Sequence, residues 1–296
     1  MAFTGASTAL PTVEYRDPVQ ILEPLRQRIP FVFASPHSGT DYPAAFLSGS
    51  PLDLLTIRQS EDSFVDEIFA SAPRLGAPLL CARFPRAYCD PNREPFELDQ
   101  GMFEDTLPSY ANTTSLRVAG GLGVIARITA GNKEIYSRKL TFAEAERRIR
   151  ECYQPYHAAL KAQIDRTKEQ FGHVILIDCH SMPSSVNASC LGHHRQRPDM
   201  ILGDRYGTSC DSAVVDIAER LLRDLGYQVG RNAPYAGGFT TQFYGRPVDH
   251  VHSLQIEINR ALYMDERTIE PRPGLASLAK DMAALIDGMS AQLDLI

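Results

Sequence analysis

Two histidines follow apolar runs that are typical of buried β-strands. His37 comes after "FVFAS" (31–35), and His180 ends the run "HVILIDCH" that starts at residue 173. Both are followed by serine, in the contexts "PHSG" and "CHSM". Neutral imidazole is a frequent zinc ligand, and a catalytic zinc has three protein ligands with one position left open. A single histidine at the end of a strand is more often structural, but this matched pair predicts two ligands of one metal ion.

The third ligand of such a site should be a carboxylate. The segment "RQSEDSFVDEIFASA" (58–72) predicts a helix that carries Asp62 and Asp66 on one face. Acidic residues in a first turn usually stabilise the helix N-terminus, which is the alternative interpretation. We expect Asp62 to be the ligand because it lies at the helix start, where the loop from His37 returns; Glu61 is the competing choice.

Two further carboxylates have positions that a buried strand does not need. Asp178 lies two residues before His180, on the same strand face, and could orient that histidine. In "SLQIEIN" (253–259), alternation places Glu257 on the face opposite the apolar side chains. A carboxylate there is costly to bury without a cation or a chemical role. It predicts either a salt bridge, for example to Arg260, or a general base.

A cluster of arginines could bind an acidic ligand. The segment "RAYCDPNR" (86–93) contains Arg86, Asp90, Asn92 and Arg93 within eight residues, just after a predicted strand. Arginine binds carboxylates through two parallel hydrogen bonds, so this cluster indicates a carboxylate site. Candidates for a second carboxylate, each of which could equally be plain loop structure, are His193, His194, Gln242, Tyr244 and Arg246.

The elements that must position these residues alternate between strands and helices. Strands are predicted at 31–35, 77–84, 173–179 and 253–259, and a weaker one at 227–232. We therefore predict an α/β fold with a mixed, mostly parallel sheet and helices on both faces. In such sheets the carboxyl ends of neighbouring strands face one crevice, which predicts a single cluster of site residues.

The helices have recognisable boundaries. Thr141 and Glu144 form a capping box that starts a long helical segment, which should be kinked by Pro155 and end near Gly172. Apolar residues recur with helical spacing over 211–225 and 275–293. These stripes predict core packing, with no direct part in the chemistry.

Composition limits the class of protein. The 296 residues, 44% of them hydrophobic, are consistent with one α/β domain spanning 1–296. A formal charge of -6 argues against nucleic-acid binding. The N-terminus does not resemble a signal peptide, and no apolar run has membrane-spanning length. The six dispersed cysteines indicate reduced thiols. We therefore expect a cytoplasmic protein. The sequence gives no basis for an oligomeric state.

Ordered blocks along most of the chain resemble the N-formylglutamate amidohydrolase family. They are "SPHSGTDYP", "EDSFVDEIF", "FPRAYCDPNREPFELD", "ILIDCHSMPS", "ILGDRYGTSC", "YAGGFTTQFYGRP" and "LQIEINRALYMDE". The resemblance implies a hydrolase with one zinc ion, or another divalent metal, that cleaves N-formyl-L-glutamate to formate and L-glutamate in histidine degradation. It also implies a phosphorylase/hydrolase-like fold similar to that of zinc carboxypeptidases and aspartoacylases.

The resemblance also implies roles for individual residues. His37 and His180 would be zinc ligands, Glu257 the base, and Asn92 with Arg93 the grip on a substrate carboxylate. Zinc and an arginine, Arg86 or Arg127, would stabilise the oxyanion. The zinc carboxypeptidases have a His-x-x-Glu ligand pair, whereas Thr40 stands three residues after His37 here. The carboxylate ligand must therefore come from elsewhere, and Asp62 is the expected source.

Three other interpretations compete with this one. Another zinc amidohydrolase, acting on a different N-acyl amino acid, would have the same motifs. A cysteine hydrolase using Cys179 or Cys190 is disfavoured, since Cys179 and His180 are neighbours on a strand and point to opposite faces. A small-molecule binding protein without activity is disfavoured by the presence of both histidines together with Glu257.

Overall fold

A seven-stranded sheet is the centre of the fold. The computed structural model describes Tyr15, residues 17–185 and residues 198–293. The strands are β1 (Val19–Leu22), β2 (Phe31–Ser35), β3 (Leu79–Ala82), β4 (Val174–Met182), β5 (Met200–Gly203), β6 (Val229–Arg231) and β7 (Val251–Asn259). Their order across the sheet is β1-β3-β2-β4-β7-β5-β6. A separate two-stranded ribbon contains β8 (Met264–Asp265) and β9 (Glu270–Pro271).

The sheet is mixed, with a parallel centre. Strands β3, β2, β4 and β7 run parallel to one another, β1 and β5 run antiparallel to β3 and β7, and β6 is parallel to β5. The four parallel strands all have their carboxyl ends at one edge. This arrangement confirms the predicted α/β fold class, and it brings the ends of four separate chain segments together.

Helices pack on both faces of the sheet. They are α1 (Ala44–Ser48), α2 (Leu54–Arg58), α3 (Val65–Ile68), α4 (Ala72–Leu75), α5 (Leu116–Ala119), α6 (Phe142–Arg148), α7 (Gln154–Phe171), α8 (Ser212–Asp224), α9 (Phe239–Tyr244) and α10 (Gly274–Leu293). Alternation along β2 directs Phe31 and Phe33 into the core beneath α3, α4, α8 and α10, and Val32 and Ala34 into the core beneath α6 and α7. None of the described helices combines the length and apolar character that a membrane span requires.

The helix predicted after residue 140 has the expected ends. Thr141 and Glu144 form the predicted capping box at the start of α6, and Gly172 ends α7 with φ 79°. Between α6 and α7 the chain makes a π-helical turn, Ile149–Tyr153. Pro155 directly follows this π-helical turn, and because it has no amide hydrogen it cannot donate a hydrogen bond to the preceding turn, which is consistent with the irregularity at this point.

Two predictions about local structure were wrong. The segment 58–72 does not start a helix at Asp62: Phe64 has φ 68°, and only the short α3 and α4 follow it. Asp62 therefore does not share a helix face with Asp66. Strands β1 and β5 were not predicted from the sequence.

Candidate metal centre and substrate cavity

The carboxyl ends of the parallel strands surround a cavity of about 520 Å³. His37 follows β2, Arg86 and Asp90 follow β3, His180 lies on β4, and Glu257 lies on β7. Register pairs His180 with Glu257 on adjacent strands. The predicted single cluster of site residues is therefore present, and it is built by sheet topology from segments that are distant in sequence.

Two imidazoles converge on one carboxylate oxygen. The Nδ1 atoms of His37 and His180 lie 3.2 and 3.0 Å from Oδ2 of Asp62. All three side chains are buried, and one ligand atom from each lies within 4.8 Å of the others. Two nitrogens and one oxygen are a donor set typical of catalytic zinc sites. These residues could therefore hold a metal ion.

The other imidazole nitrogens face two further carboxylates. Nε2 of His37 lies 2.7 Å from Oδ1 of Asp90, and Nε2 of His180 lies 3.0 Å from Oδ1 of Asp178. When Nε2 of His37 carries the proton and donates to Asp90, Nδ1 of His37 keeps a free lone pair directed toward Asp62. Nε2 of His180 lies between the Asp178 carboxylate and the Asn92 amide, while its Nδ1 faces Asp62. Carboxylates of this kind orient histidine ligands and raise their basicity. The position of Asp178 is the one expected from the sequence, whereas the contact from Asp90 to His37 was not predicted.

The charges of the centre favour a bound cation. Burial by itself would lower the pKa of His180, but the carboxylates of Asp178, Asp62 and Glu257 raise it well above its ordinary value. Burial by itself would raise the pKa of Asp62, but its two histidine neighbours and Arg260 hold it well below its usual range. A position that attracts an extra proton so strongly also attracts a metal cation.

Glu61 and Asp62 are both buried but face different partners. The Glu61 carboxylate accepts hydrogen bonds from Tyr42, Arg58 and Ser63 at 2.7 to 3.2 Å. Its oxygens are therefore occupied by three protein donors. Of these two acidic residues, only Asp62 contacts both histidines, so the geometry favours Asp62 over Glu61 as the carboxylate of the metal centre.

Glu257 is held as a buried carboxylate with one occupied oxygen. Gln255 donates to Oε1 of Glu257 at 2.8 Å, and Gln255 itself accepts from the backbone amide of Gly238 at 2.7 Å. Burial raises the pKa of the Glu257 carboxyl to about 7, even though the charge of His180 acts to lower it. Arg260, the salt-bridge partner that the sequence suggested for Glu257, donates instead to Oδ1 of Asp62 at 2.9 Å. The strand carboxylate is thus positioned by an amide and remains available for proton transfer.

The arginines of the 86–93 segment line the cavity as expected. Arg86 donates to Oδ2 of Asp90 at 2.8 Å, and Arg93 lies 3.5 Å from the same oxygen. Burial lowers the pKa of Arg93 to about 10. The Asp90 carboxylate acts to raise this pKa, whereas the like charges of Arg86 and Arg117 act to lower it. Arg93 also donates to the backbone oxygens of Leu122 and Asn92 at 2.7 and 2.8 Å. Two guanidinium groups share the single Asp90 carboxylate, and this excess of positive charge favours a bound anion, such as a ligand carboxylate.

Asn92 lines the cavity and also makes contacts within the protein. Its Oδ1 accepts from the backbone amide of Thr240 at 2.8 Å, and its Nδ2 lies 2.9 Å from Nε2 of His180. A Cβ on Gly238 would lie 2.5 Å from the Asn92 amide, so only glycine allows this approach. Asn92 is therefore engaged within the protein and positions His180.

Several predicted substrate contacts lie away from the cavity. Arg127 is paired with Asp99 and Glu134. Tyr244 is buried and bonds Nδ1 of His157. Gln242 and Arg246 are exposed and do not line the cavity, and His193 and His194 lie outside the described residues.

The catalytic cysteine alternative has no support in the described residues. The Cys179 side chain packs into the core on the face opposite His180, and burial raises the pKa of its thiol well above the ordinary value. Cys190 lies outside the described residues.

The structure also places Arg117, Arg205 and Tyr235 on the cavity wall, which the sequence did not indicate. No local pattern marks them, since Arg117 lies in the four-residue helix α5, and Arg205 and Tyr235 lie in loops whose path is set by tertiary contacts.

The fold and the site define a class of protein. A parallel sheet centre with an Asp/His/His donor set, a buried glutamate and an arginine-lined cavity is an arrangement suited to hydrolysis of an acidic small molecule. The model of the N-formylglutamate amidohydrolase family matches residues 29–264. The chain belongs to this amidohydrolase family.

Individual relatives agree with this assignment. An N-formylglutamate deformylase of Pseudomonas aeruginosa is 30% identical over 271 residues, covering 90% of this chain and 93% of the relative. One from Pseudomonas putida is 27% identical over 242 residues, covering 81% and 83%. The crystal structure of N-formylglutamate amidohydrolase from Ralstonia eutropha JMP134 superposes with a TM-score of 0.87 at 39% identity, covering 93% of this chain and 98% of that one.

Proposed function

We propose that this enzyme hydrolyses N-formyl-L-glutamate to formate and L-glutamate with the help of one zinc ion. The convergence of His37, Asp62 and His180 beside Glu257, in a cavity lined by arginines, is the observation that carries the proposal. The names of the relatives support the same substrate.

The metal ion would be held by His37, Asp62 and His180. Zinc suits two imidazoles and one carboxylate, although other divalent transition metals accept the same donors. When bound, the ion would supply Lewis acidity, which polarises an amide carbonyl and lowers the pKa of a water molecule. The protein contributes the orientation of the ligands through Asp90 and Asp178.

Glu257 is the proposed general base. Since Gln255 donates to Oε1, the second oxygen of Glu257 is the one that can accept a proton from the attacking water. The same carboxyl can then donate this proton to the nitrogen of the leaving glutamate. A pKa of about 7 lets one group perform both steps near neutral pH.

The cavity arginines are the proposed substrate-binding groups. Arg93 and Arg86 lie beside Asp90, which contacts His37, so they are close to the reacting centre. Arg93 would bind a carboxylate of the substrate, and Arg86 would also stabilise negative charge that develops on the formyl oxygen. The small formyl group offers little to recognise, so selection depends on these charged contacts.

The wider setting follows from the proposed reaction. N-formyl-L-glutamate hydrolysis would place the enzyme in histidine degradation, in the cytoplasm, with residues 1–296 acting as one catalytic domain. The single sheet that gathers the site supports the last point. The five cysteines of the described ranges are buried free thiols, in keeping with a reducing compartment.

The test is formate release from N-formyl-L-glutamate, before and after chelation and after zinc is restored. Activity should require the metal, and Glu257→Gln should lower kcat by roughly 100- to 10,000-fold while zinc content is retained. Glu146→Gln, which alters an exposed glutamate, is the matched control and should leave kcat unchanged. A folded, zinc-loaded protein that releases no formate would contradict the proposal.

A second candidate is hydrolysis of another N-acyl amino acid. The cavity of about 520 Å³ is within the range that accommodates drug-sized ligands, so an acyl group larger than formyl would fit by volume. Parallel assays with N-acetyl and N-succinyl glutamate separate the two candidates. A higher kcat/KM for either compound than for the formyl substrate would favour the second.

A further inference from the structure

We propose that Arg205 binds the side-chain carboxylate of the substrate and so selects an acidic amino acid at that position. The inference rests on the proposed function, and it assigns a role to the block "ILGDRYGTSC", which contributes no residue to the mechanism proposed above. Arg205 follows β5 by two residues and lines the cavity. It would form a second cationic subsite, separate from Arg86 and Arg93.

Arg205 has an unbalanced charge within the described part of the chain. No carboxylate there lies within 4.0 Å of its guanidinium, whereas Arg86, Arg93, Arg117 and Arg260 on the cavity wall each have one. The guanidinium contacts the backbone oxygen of Gly237, through NH1, at 3.4 Å. A partly buried arginine with only this weak partner can provide two parallel hydrogen bonds to an incoming carboxylate.

The loop that carries Arg205 is held in a strained conformation. Arg205 and Tyr206 have φ values of 55° and 57°, which are uncommon for residues with a Cβ. The Arg205 amide donates to the Ala236 oxygen at 2.8 Å, and the Asn232 side chain accepts from the amide of Tyr206. A strained backbone of this kind persists where surrounding contacts hold it in place, and such positions are often found at functional sites.

The facing loop is fitted closely to the Arg205 side chain. Gly237 has φ +116°, and a Cβ there would lie 3.1 Å from Cδ of Arg205 and 2.9 Å from the Thr241 side chain. Glycine is therefore required both by the backbone angle and by the close packing. The arginine stem is held by the protein, while its head is left without an acidic partner.

Sheet order places the two cationic groups on opposite sides of the reacting centre. Arg86 and Arg93 follow β3 at the carboxyl edge of the parallel strands. Arg205 follows β5, which runs antiparallel to β7 and ends beside Gln255, so it lines the cavity from the far side of β2, β4 and β7. These three strands supply His37, His180 and Glu257. Arg86, Arg93 and Arg205 all line this one cavity, so a dicarboxylate bound between them can present one carboxylate to each side.

The contacts also indicate which arginine binds each carboxylate of the substrate. Arg93 lies beside Asp90, which contacts His37 directly, so it suits the α-carboxylate next to the scissile amide. Arg205 connects to Glu257 only through successive neighbours, first the Gly237 and Gly238 backbone and then Gln255. It is therefore the partner for the more distant carboxylate.

The experiment compares Arg205→Met and Arg205→Lys with wild-type enzyme on three substrates. N-formylglutamine lacks the side-chain charge, and N-formylisoglutamine lacks the α-carboxylate charge. We expect Arg205→Met to lower kcat/KM roughly 10- to 100-fold for N-formylglutamate and N-formylisoglutamine, but less than about threefold for N-formylglutamine. Arg205→Lys should restore part of the loss. Arg28→Met is the control, since Arg28 is exposed and also donates to a backbone carbonyl.

Binding provides a readout that does not depend on turnover. Calorimetry should show that wild-type protein prefers L-glutamate to L-glutamine, and that Arg205→Met has lost at least tenfold of this preference. Equal losses for every substrate, an unchanged preference, or a wild-type protein that does not distinguish the two amino acids would each overturn the role of Arg205. Absence of formate release, with the binding preference intact, would instead contradict the proposed function alone.

Discussion

At the scale of single residues, one carboxylate oxygen organises the centre. Oδ2 of Asp62 is shared by the Nδ1 atoms of both histidines, and Oδ1 accepts from Arg260. Such a buried carboxylate is stable because cationic or donor groups surround it. In the presence of a metal ion, the same three side chains can exchange their mutual contacts for metal ligation without moving to another part of the cavity.

The first prediction separates Asp62 from its neighbour in sequence. Asp62→Asn should weaken zinc affinity by at least about 100-fold, since it removes the charge of a proposed ligand. Glu61→Gln should leave affinity within about threefold, because Glu61 bonds Arg58, Tyr42 and Ser63. Competition with a chromogenic chelator measures both constants. Equal losses in the two variants would contradict the assignment of Asp62.

The second prediction concerns Arg93. Arg93→Ala should reduce kcat/KM for N-formyl-L-glutamate by roughly 10- to 100-fold, since a charge-assisted hydrogen bond contributes about 1.5–3 kcal/mol. The loss should be much smaller for N-formylisoglutamine, which has no α-carboxylate charge to bind. Steady-state kinetics on the two substrates, with Arg28→Ala as control, provide the comparison. Unchanged kinetics on the dicarboxylate would exclude a substrate contact.

Residues at strand ends were the ones that sequence could place. His37, His180 and Glu257 follow or interrupt apolar runs, so their position at the sheet edge is fixed by local pattern. The engagement of Asn92 with Thr240, and the position of Arg205 on the cavity wall, depend on how distant loops pack. Such contacts leave no periodic signal in the sequence.

At the scale of elements, the helical segment from α6 to α7 holds the loop that carries several site residues. Arg148, Tyr153 and His157 donate to backbone carbonyls of loop 88–93 at 3.3, 2.9 and 2.9 Å. Tyr153 ends the π-helical turn, and such turns often occur near functional sites. The loop that presents Asp90 and Arg93 is therefore fixed from behind by one continuous helical stretch.

The third prediction follows from the neutral state of His157. Burial lowers the pKa of His157 from 6.5 to about 4, and its Nδ1 lies 2.9 Å from the Tyr244 hydroxyl. The folded state binds this proton less tightly than the unfolded state, so stability falls as pH decreases from about 6.5 toward 4. The contribution of His157 should decrease by about 2 kcal/mol between pH 7.5 and 5.

Urea unfolding at several pH values measures this effect. His157→Gln keeps a polar side chain but does not titrate, so its free energy of unfolding should depend less on pH than that of the wild type. The difference between the two proteins should shrink at pH 5. Parallel curves over the whole range would show that His157 is not held neutral by the fold.

Sequence pattern predicted long elements better than short ones. Strands β2, β4 and β7 contain continuous apolar runs or strict alternation, and the capping box marks α6 directly. Strand β5 has only four residues, and its direction opposite to β7 depends on tertiary pairing. The break before α3 depends on the left-handed conformation of Phe64. A phenylalanine gives no indication of this conformation in the sequence, because glycine is the residue that usually adopts it.

At the scale of the whole molecule, sheet order is what creates the site. The adjacent parallel strands β3, β2, β4 and β7 place arginines, two histidines and a glutamate at one edge of the sheet, and the antiparallel β5 leads into the loop that brings Arg205 to the same cavity. The two histidines are far apart in the chain, yet their ring centres are 4.7 Å apart. A ligand that binds both therefore adds a further link between segments that are already joined by packing, strand pairing and their shared contact with Asp62.

The fourth prediction is that the metal stabilises the entire fold. A ligand present at 1,000 times its dissociation constant adds about 4 kcal/mol to the free energy of unfolding, since it binds only the folded state. For a chain of this size, zinc should therefore raise Tm by on the order of 10 °C relative to chelated protein. Asp62→Asn should show a much smaller shift, because one of three ligands is altered. Differential scanning calorimetry of both proteins, with and without zinc, makes the comparison; an equal rise in both would show that zinc stabilises the fold from a different position.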